Sequence, residues 1–201
     1  MSNIKQLATD MWMVAVAGVL TVLASSSVHT QEVPKTDVAF GYQWQRVSRC
    51  GGMALCKDSL PAGWYLDASG GISRMFGWVG LFDGSYKSGA FGFNPGVSKL
   101  NIYTYGVGVR VSATSTVTPF AQFLVGGIRR ELTILGSAAP DTAAFMIDIG
   151  GGVNIPAGTR WGMRIGIDYR RGFFEKLELG PENLGGMNNV RVNLGAVVSL
   201  N

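Results

Sequence analysis

The sequence predicts an all-β fold: an eight-stranded antiparallel up-and-down transmembrane β-barrel preceded by a signal peptide. Three observations predict it. The last twelve residues before Asn201 alternate between an apolar set (Val190, Val192, Leu194, Ala196, Val198, Leu200) and a polar or small set (Arg191, Asn193, Gly195, Ser199). The same period-2 alternation recurs from Asp37 onward in segments of about ten residues, the length a tilted membrane strand requires. The chain also opens on a secretory pattern: Lys5, an apolar stretch from Met11 to Ala24, then Ser25-Ser26-Ser27. That stretch is shorter than the roughly 20 residues of a spanning helix, so a cleaved leader is preferred over an uncleaved anchor. His29 falls in or beside the leader. The expected division is a signal peptide over 1–30, a short periplasmic segment over 31–36 and a barrel over 37–201.

Each strand is identified by the apolar set that faces outward. The first carries Val38, Phe40, Tyr42 and Trp44; the second Trp64, Leu66, Ala68 and Ile72; the third Phe76, Trp78, Phe82 and Tyr86. The fourth carries Tyr103, Tyr105, Val107, Val109 and Val111. The fifth, from about Val117 to Ile128, is apolar on both parities, and its phase stays open. The sixth presents Phe145, Ile147, Ile149 and Val153, the seventh Trp161, Met163, Ile165, Ile167 and Tyr169, and the eighth is the C-terminal strand. No later segment holds 18 consecutive apolar residues, so a membrane location requires a closed barrel, which alone leaves no strand edge unsatisfied in lipid.

The opposite parity holds Asp67, Asp83, Arg110, Asp148, Arg164, Asp168, Arg170 and Arg191, with Ser69, Asn154 and Asn193. A charge on the lipid face costs a few kcal/mol near the midplane, so these residues are expected to face the lumen. An eight-stranded barrel is just wide enough for side chains to fill it, which makes Arg–Asp pairing the expected state. Short connections near Arg74-Met75, 113–116 and 156–158 alternate with long ones near 47–62, 87–99, 131–141 and 172–187. Short periplasmic turns and longer external loops follow from that alternation. Aromatic residues at strand ends (Trp44, Trp64, Phe76, Tyr86, Tyr103, Phe120, Trp161, Phe173, Phe174) suit interfacial girdles.

Composition narrows the function classes. With 47% hydrophobic and 15% charged residues the chain is not disordered, and 29 glycines without a collagen period suit a crowded barrel. A net charge of +4 with no basic run longer than a pair argues against nucleic acid. Instead Lys87, Lys99, Arg129, Arg130, Arg171 and Lys176 form a candidate rim for phosphorylated lipid headgroups. Cys50 and Cys56, the only cysteines, lie together in the first long connection and suit a disulfide in an oxidising compartment. No metal site or cofactor is expected. A single histidine beside the leader disfavours a Ser-His lipid enzyme, and no catalytic residue is assigned. Gly150-Gly151-Gly152 lacks the following helix that a phosphate loop needs.

The segments GWYLDASGGISRMFGWVGLFDGSY, VTPFAQFLVGG and FMIDIGGGVNI resemble the small outer-membrane β-barrel domain family related to OmpA, OmpX and the opacity proteins. The resemblance implies a location in the Gram-negative outer membrane and passage through periplasmic chaperones and the barrel-assembly machinery. It also implies a C-terminal assembly signal, matched here by Asn193, Gly195, Val198 and Leu200, although Asn201 stands where the family ends on an aromatic residue. The expected function is a structural or surface-interaction role with outer-membrane lipid or lipopolysaccharide as partner, four loops for an unidentified surface ligand, and no catalysis. A narrow porin-like channel is the alternative, and a soluble lipocalin-like barrel with every strand inverted is a further one.

Overall fold

The computed structural model describes residues 36–50, 58–89, 98–113, 115–134, 136–138, 142–173 and 186–200. The expected leader, Cys56 and Lys176 lie outside the described residues, as does the side chain of Cys50, so the expected disulfide does too. Every regular element described is a strand: β1 (Thr36–Cys50), β2 (Asp58–Leu60), β3 (Ala62–Gly71), β4 (Phe76–Ser88), β5 (Ser98–Ser112), β6 (Thr118–Ile134), β7 (Ser137–Ala138), β8 (Thr142–Pro156), β9 (Trp161–Phe173) and β10 (Met187–Ser199).

Eight long strands pair antiparallel with their sequence neighbours, in the order β1-β3-β4-β5-β6-β8-β9-β10. β10 then pairs back onto β1 along its whole length, from Asp37 opposite Ser199 to Cys50 opposite Met187. That pairing closes the eight long strands into an up-and-down barrel in which each is flanked by two neighbours.

The two short strands are departures from the eight expected segments, and each has a local cause. β1 pairs with β3 through Tyr42 and Trp64, and with β2 from Gln45 and Leu60 onward. Pro61 sits between β2 and β3, and without an N–H it cannot continue the ladder, so one stave is split in two. The Pro61 carbonyl instead accepts a hydrogen bond from the Tyr42 hydroxyl. β7 folds back on the end of β6 through a turn at Gly136, whose φ of 78° is accessible to glycine. The strands also reach further into the expected loops, with β1 running to Cys50 and β6 to Ile134.

Parity sorts the side chains by chemistry. Phe40, Tyr42, Leu66, Trp78, Phe82, Tyr105, Val107, Val109, Ile149, Ile165, Ile167 and Leu194 are exposed on the outer face. β6, left without a phase by the sequence, buries Phe120, Gln122, Leu124 and Ile128 and turns Phe123 outward. The sequence is silent there because the lumen itself contains two apolar clusters. One comprises Val47, Leu60, Leu100, Ile102, Ile128, Met146 and Met187, at the strand ends nearest the long connections. The other gathers Ala39, Tyr65, Val79, Leu81, Leu124 and Val197.

Candidate functional site

Between the strand walls the eight charged residues of the inward parity form two tiers. Four arginines and four aspartates give zero net charge, and all eight are at most 4% exposed. Such burial is tolerable only with full pairing, since each uncompensated ion costs several kcal/mol.

The lower tier, nearer the short turns, is centred on Asp67 of β3. Arg110 of β5 donates from Nη1 to Asp67 Oδ1 at 3.2 Å and to Ser69 Oγ at 2.8 Å, and its Nη2 pairs with Asp67 Oδ2. Arg164 of β9 reaches across the lumen to the same Asp67 Oδ1 at 2.7 Å and donates from Nε to Asn154 Oδ1 at 2.8 Å. Both guanidinium groups sit over the ring of Phe120, at 4.5 and 5.0 Å from its centroid. Phe120 is therefore a lumen residue, not a member of the aromatic girdle, because it falls on the inward parity of β6. Its ring offers both cations a π face.

The upper tier ties the last two strands to β4. Arg170 donates to Asp148 Oδ2 at 2.9 Å on neighbouring β8, and across the lumen to Asp83 Oδ2 at 2.6 Å. Arg191 of β10 donates to Asp168 Oδ2 at 2.6 Å and to Asp83 Oδ2 at 2.8 Å. Gln122 joins the tiers: its Oε1 accepts from Arg110 Nε at 3.1 Å while its Nε2 donates to Asp168 Oδ1 at 2.9 Å. Gln43 completes the upper tier by donating to Asp83 Oδ1 at 3.0 Å. Gln43 and Gln122 are not among the lumen residues expected from the sequence. Their inward parity was the available signal, but a neutral amide does not demand a lumen position as a charge does.

Glycines make room for these side chains. Gly150, Gly151 and Gly152 lie inside β8. A Cβ on Gly150 would stand 2.6 Å from Cγ of Asp168. The residues of the expected assembly signal also have packing roles. Asn193 Nδ2 donates to Asp168 Oδ2 at 2.8 Å, and a Cβ on Gly195 would meet the Phe40 carbonyl and lie 2.6 Å from the Tyr65 hydroxyl. Val198 is half-buried and Leu200 exposed.

The structure divides the expected cationic rim. Lys99, Arg129 and Arg171 are exposed on the outward parity of β5, β6 and β9, whereas Lys87 and Arg130 fall on the inward parity and are half-buried. Strand alternation forces that split, since Arg129 and Arg130 are consecutive. Arg46 of β1, absent from the expected rim, is exposed on the outer face at the same end. Just below lie aromatic contacts: Trp64 Nε1 donates to the Tyr86 hydroxyl at 2.9 Å and meets Phe82 edge-on at 5.2 Å, and Tyr86 meets Tyr103 edge-on at 5.8 Å.

No family model matches the sequence, and no curated protein matches it. Solved structures do match the fold. Neisserial surface protein A (NspA) superposes with a TM-score of 0.63 at 13% identity, covering 84% of this chain and 100% of that one. Ail, the attachment invasion locus protein of Yersinia pestis, gives 0.53 at 12% identity, over 83% of this chain and 99% of its own. The N-terminal β-barrel domain of Pseudomonas aeruginosa OprF gives 0.52 at 11% identity, over 85% and 100%. At such identities the common element is the backbone architecture, and by that architecture the chain has the fold of the small eight-stranded outer-membrane β-barrels.

Proposed function

We propose that the chain is an integral protein of the bacterial outer membrane, exported by a cleaved leader, whose sealed barrel serves a structural or surface-interaction role without catalysis. The observation that carries this reading is the inversion of surface and interior. Large apolar side chains cover the outer face, while four Arg–Asp pairs' worth of charge is buried in the lumen. In water that arrangement would expose the apolar set and bury the ions for no gain. In a bilayer it is the favourable one. The partners that fit are membrane lipid or lipopolysaccharide along the wall and at the cationic rim, with the assembly machinery and periplasmic chaperones acting during biogenesis.

The paired tiers and the apolar cluster nearest the long connections argue against the channel alternative, because an ion would have to displace both. Planar-bilayer recording of the refolded chain tests this. The expected result is silence at high protein load. Steady unitary conductance would overturn the sealed lumen and favour the narrow pore.

A further inference from the structure

Outward cations are unevenly placed around the end of the barrel that bears the long connections. On β5 and β6, Lys99 and Arg129 share their face with Glu131, whose Oε1 lies 3.4 Å from Arg129 Nε. The closing seam β9-β10-β1 is different. Arg171 and Arg46 are exposed there, and among the described residues of these three strands no acid occupies the outward parity. The register sets their separation: Arg46 pairs with Val190 on β10, and Arg171 pairs with Asn188 one outward row away. Two strand spacings across and two residues along β10 amount to about 12 Å between the backbones, a gap that two arginine side chains span from opposite sides with a phosphate between them. Arg171 is held at one edge by its stacking over Phe173, at 5.3 Å. Below the pair run Val192, Leu194 and Ile167, exposed and apolar.

A guanidinium offers a planar fork that matches phosphate oxygens, and the apolar strip beneath suits acyl chains. We propose that Arg46 and Arg171 form a clamp across the closing seam for the phosphate of a membrane lipid whose chains lie along β9, β10 and β1. The clamp rests on the reading of the chain as a membrane barrel and names a lipid site on it. Because its two arms stand on the strands either side of β10, bound lipid ties the closing strand in place. The β5–β6 cations do not make an equivalent site, since Glu131 repels phosphate.

The test uses the full chain refolded into phosphatidylcholine vesicles with or without phosphatidic acid. Lipid retained after detergent extraction is read by native mass spectrometry, and unfolding temperature by loss of the fast-migrating gel band. The unsubstituted chain and the control pair Lys99→Gln/Arg129→Gln are expected to retain phosphatidic acid and to unfold at a higher temperature in its presence. Arg46→Gln/Arg171→Gln is expected to retain it about tenfold less and to lose the shift. Equal loss in both double variants, or no loss in the second, overturns the clamp. So does inorganic phosphate in pure phosphatidylcholine raising the unfolding temperature as much as phosphatidic acid does, which would mark a site for a free anion. Absence of a fast-migrating band in any vesicle instead defeats the membrane reading itself.

Discussion

Arg191 concentrates more of the interior than any other single side chain. It arrives on the last strand and satisfies Asp168 on β9 and Asp83 across the lumen. Arg191→Ala would leave Asp168 without an ion-pair partner among the described residues and Asp83 with Arg170 alone, in a buried site. The expected cost is about 3–5 kcal/mol, read as a lower urea midpoint of the chain in lipid vesicles. Arg191→Lys is expected to recover only part of it, since an ammonium lacks the fork that engages two carboxylates at once. An unchanged midpoint in Arg191→Ala would mean that the paired interior does not hold the barrel. Gly195 poses a different residue-scale question, because the same glycine falls in the expected assembly signal and fills a tight contact between Phe40 and Tyr65. If packing is the reason for glycine, Gly195→Ala should lower the folded yield during unassisted refolding into vesicles, where no assembly machinery is present. Normal refolding in vitro with failure only in cells would assign the position to recognition instead.

At the scale of the strand, the two faces make opposite predictions for the same substitution. Ile167 lies midway along β9 and is 58% exposed on the outer face. Ile167→Arg should cost about 2–4 kcal/mol, whereas Trp161→Arg at the strand end should cost about 0–1 kcal/mol. Equal costs at both sites would remove the hydrocarbon slab from the explanation. What the sequence made legible follows the same logic. On β9, Met163, Ile165 and Ile167 alternate with Arg164, Gly166 and Asp168, so parity and lumen charge were readable together. On β6 they were not: Leu124 and Ile128 are apolar yet inward, because the lumen has apolar clusters that no charge announces. Arg–Asp pairing was foreseeable, but the partners were not. Arg164 and Asp67 stand on opposite walls, and only closure of the sheet brings them within 2.7 Å. The split at Pro61 had a visible cause in the sequence, but the strand lengths did not, since the ladders continue through residues such as Glu131 and Thr133 that alternation alone assigns to a loop.

For the whole molecule, closure unites these features. β9 and β10 each send an arginine to Asp83 of β4, so the last hairpin is fastened both to β1 through the backbone ladder and to the far wall through ion pairs. On the sealed-lumen reading proposed above, both charged tiers and an apolar cluster stand between the two ends of the barrel. Arg164→Ala should remain electrically silent in planar bilayers, because the upper tier and the apolar cluster around Ile102 and Met146 stay in place. Channel events in that single variant would show that the lower tier alone is the barrier. A closed barrel with its apolar face toward lipid is tested most directly by the gel mobility of the vesicle-refolded chain in detergent before and after boiling. The expected result is a faster band in the unboiled sample that shifts on boiling. A single unshifted band from a chain that stays in the aqueous phase would contradict it and invert the inside and outside of every strand.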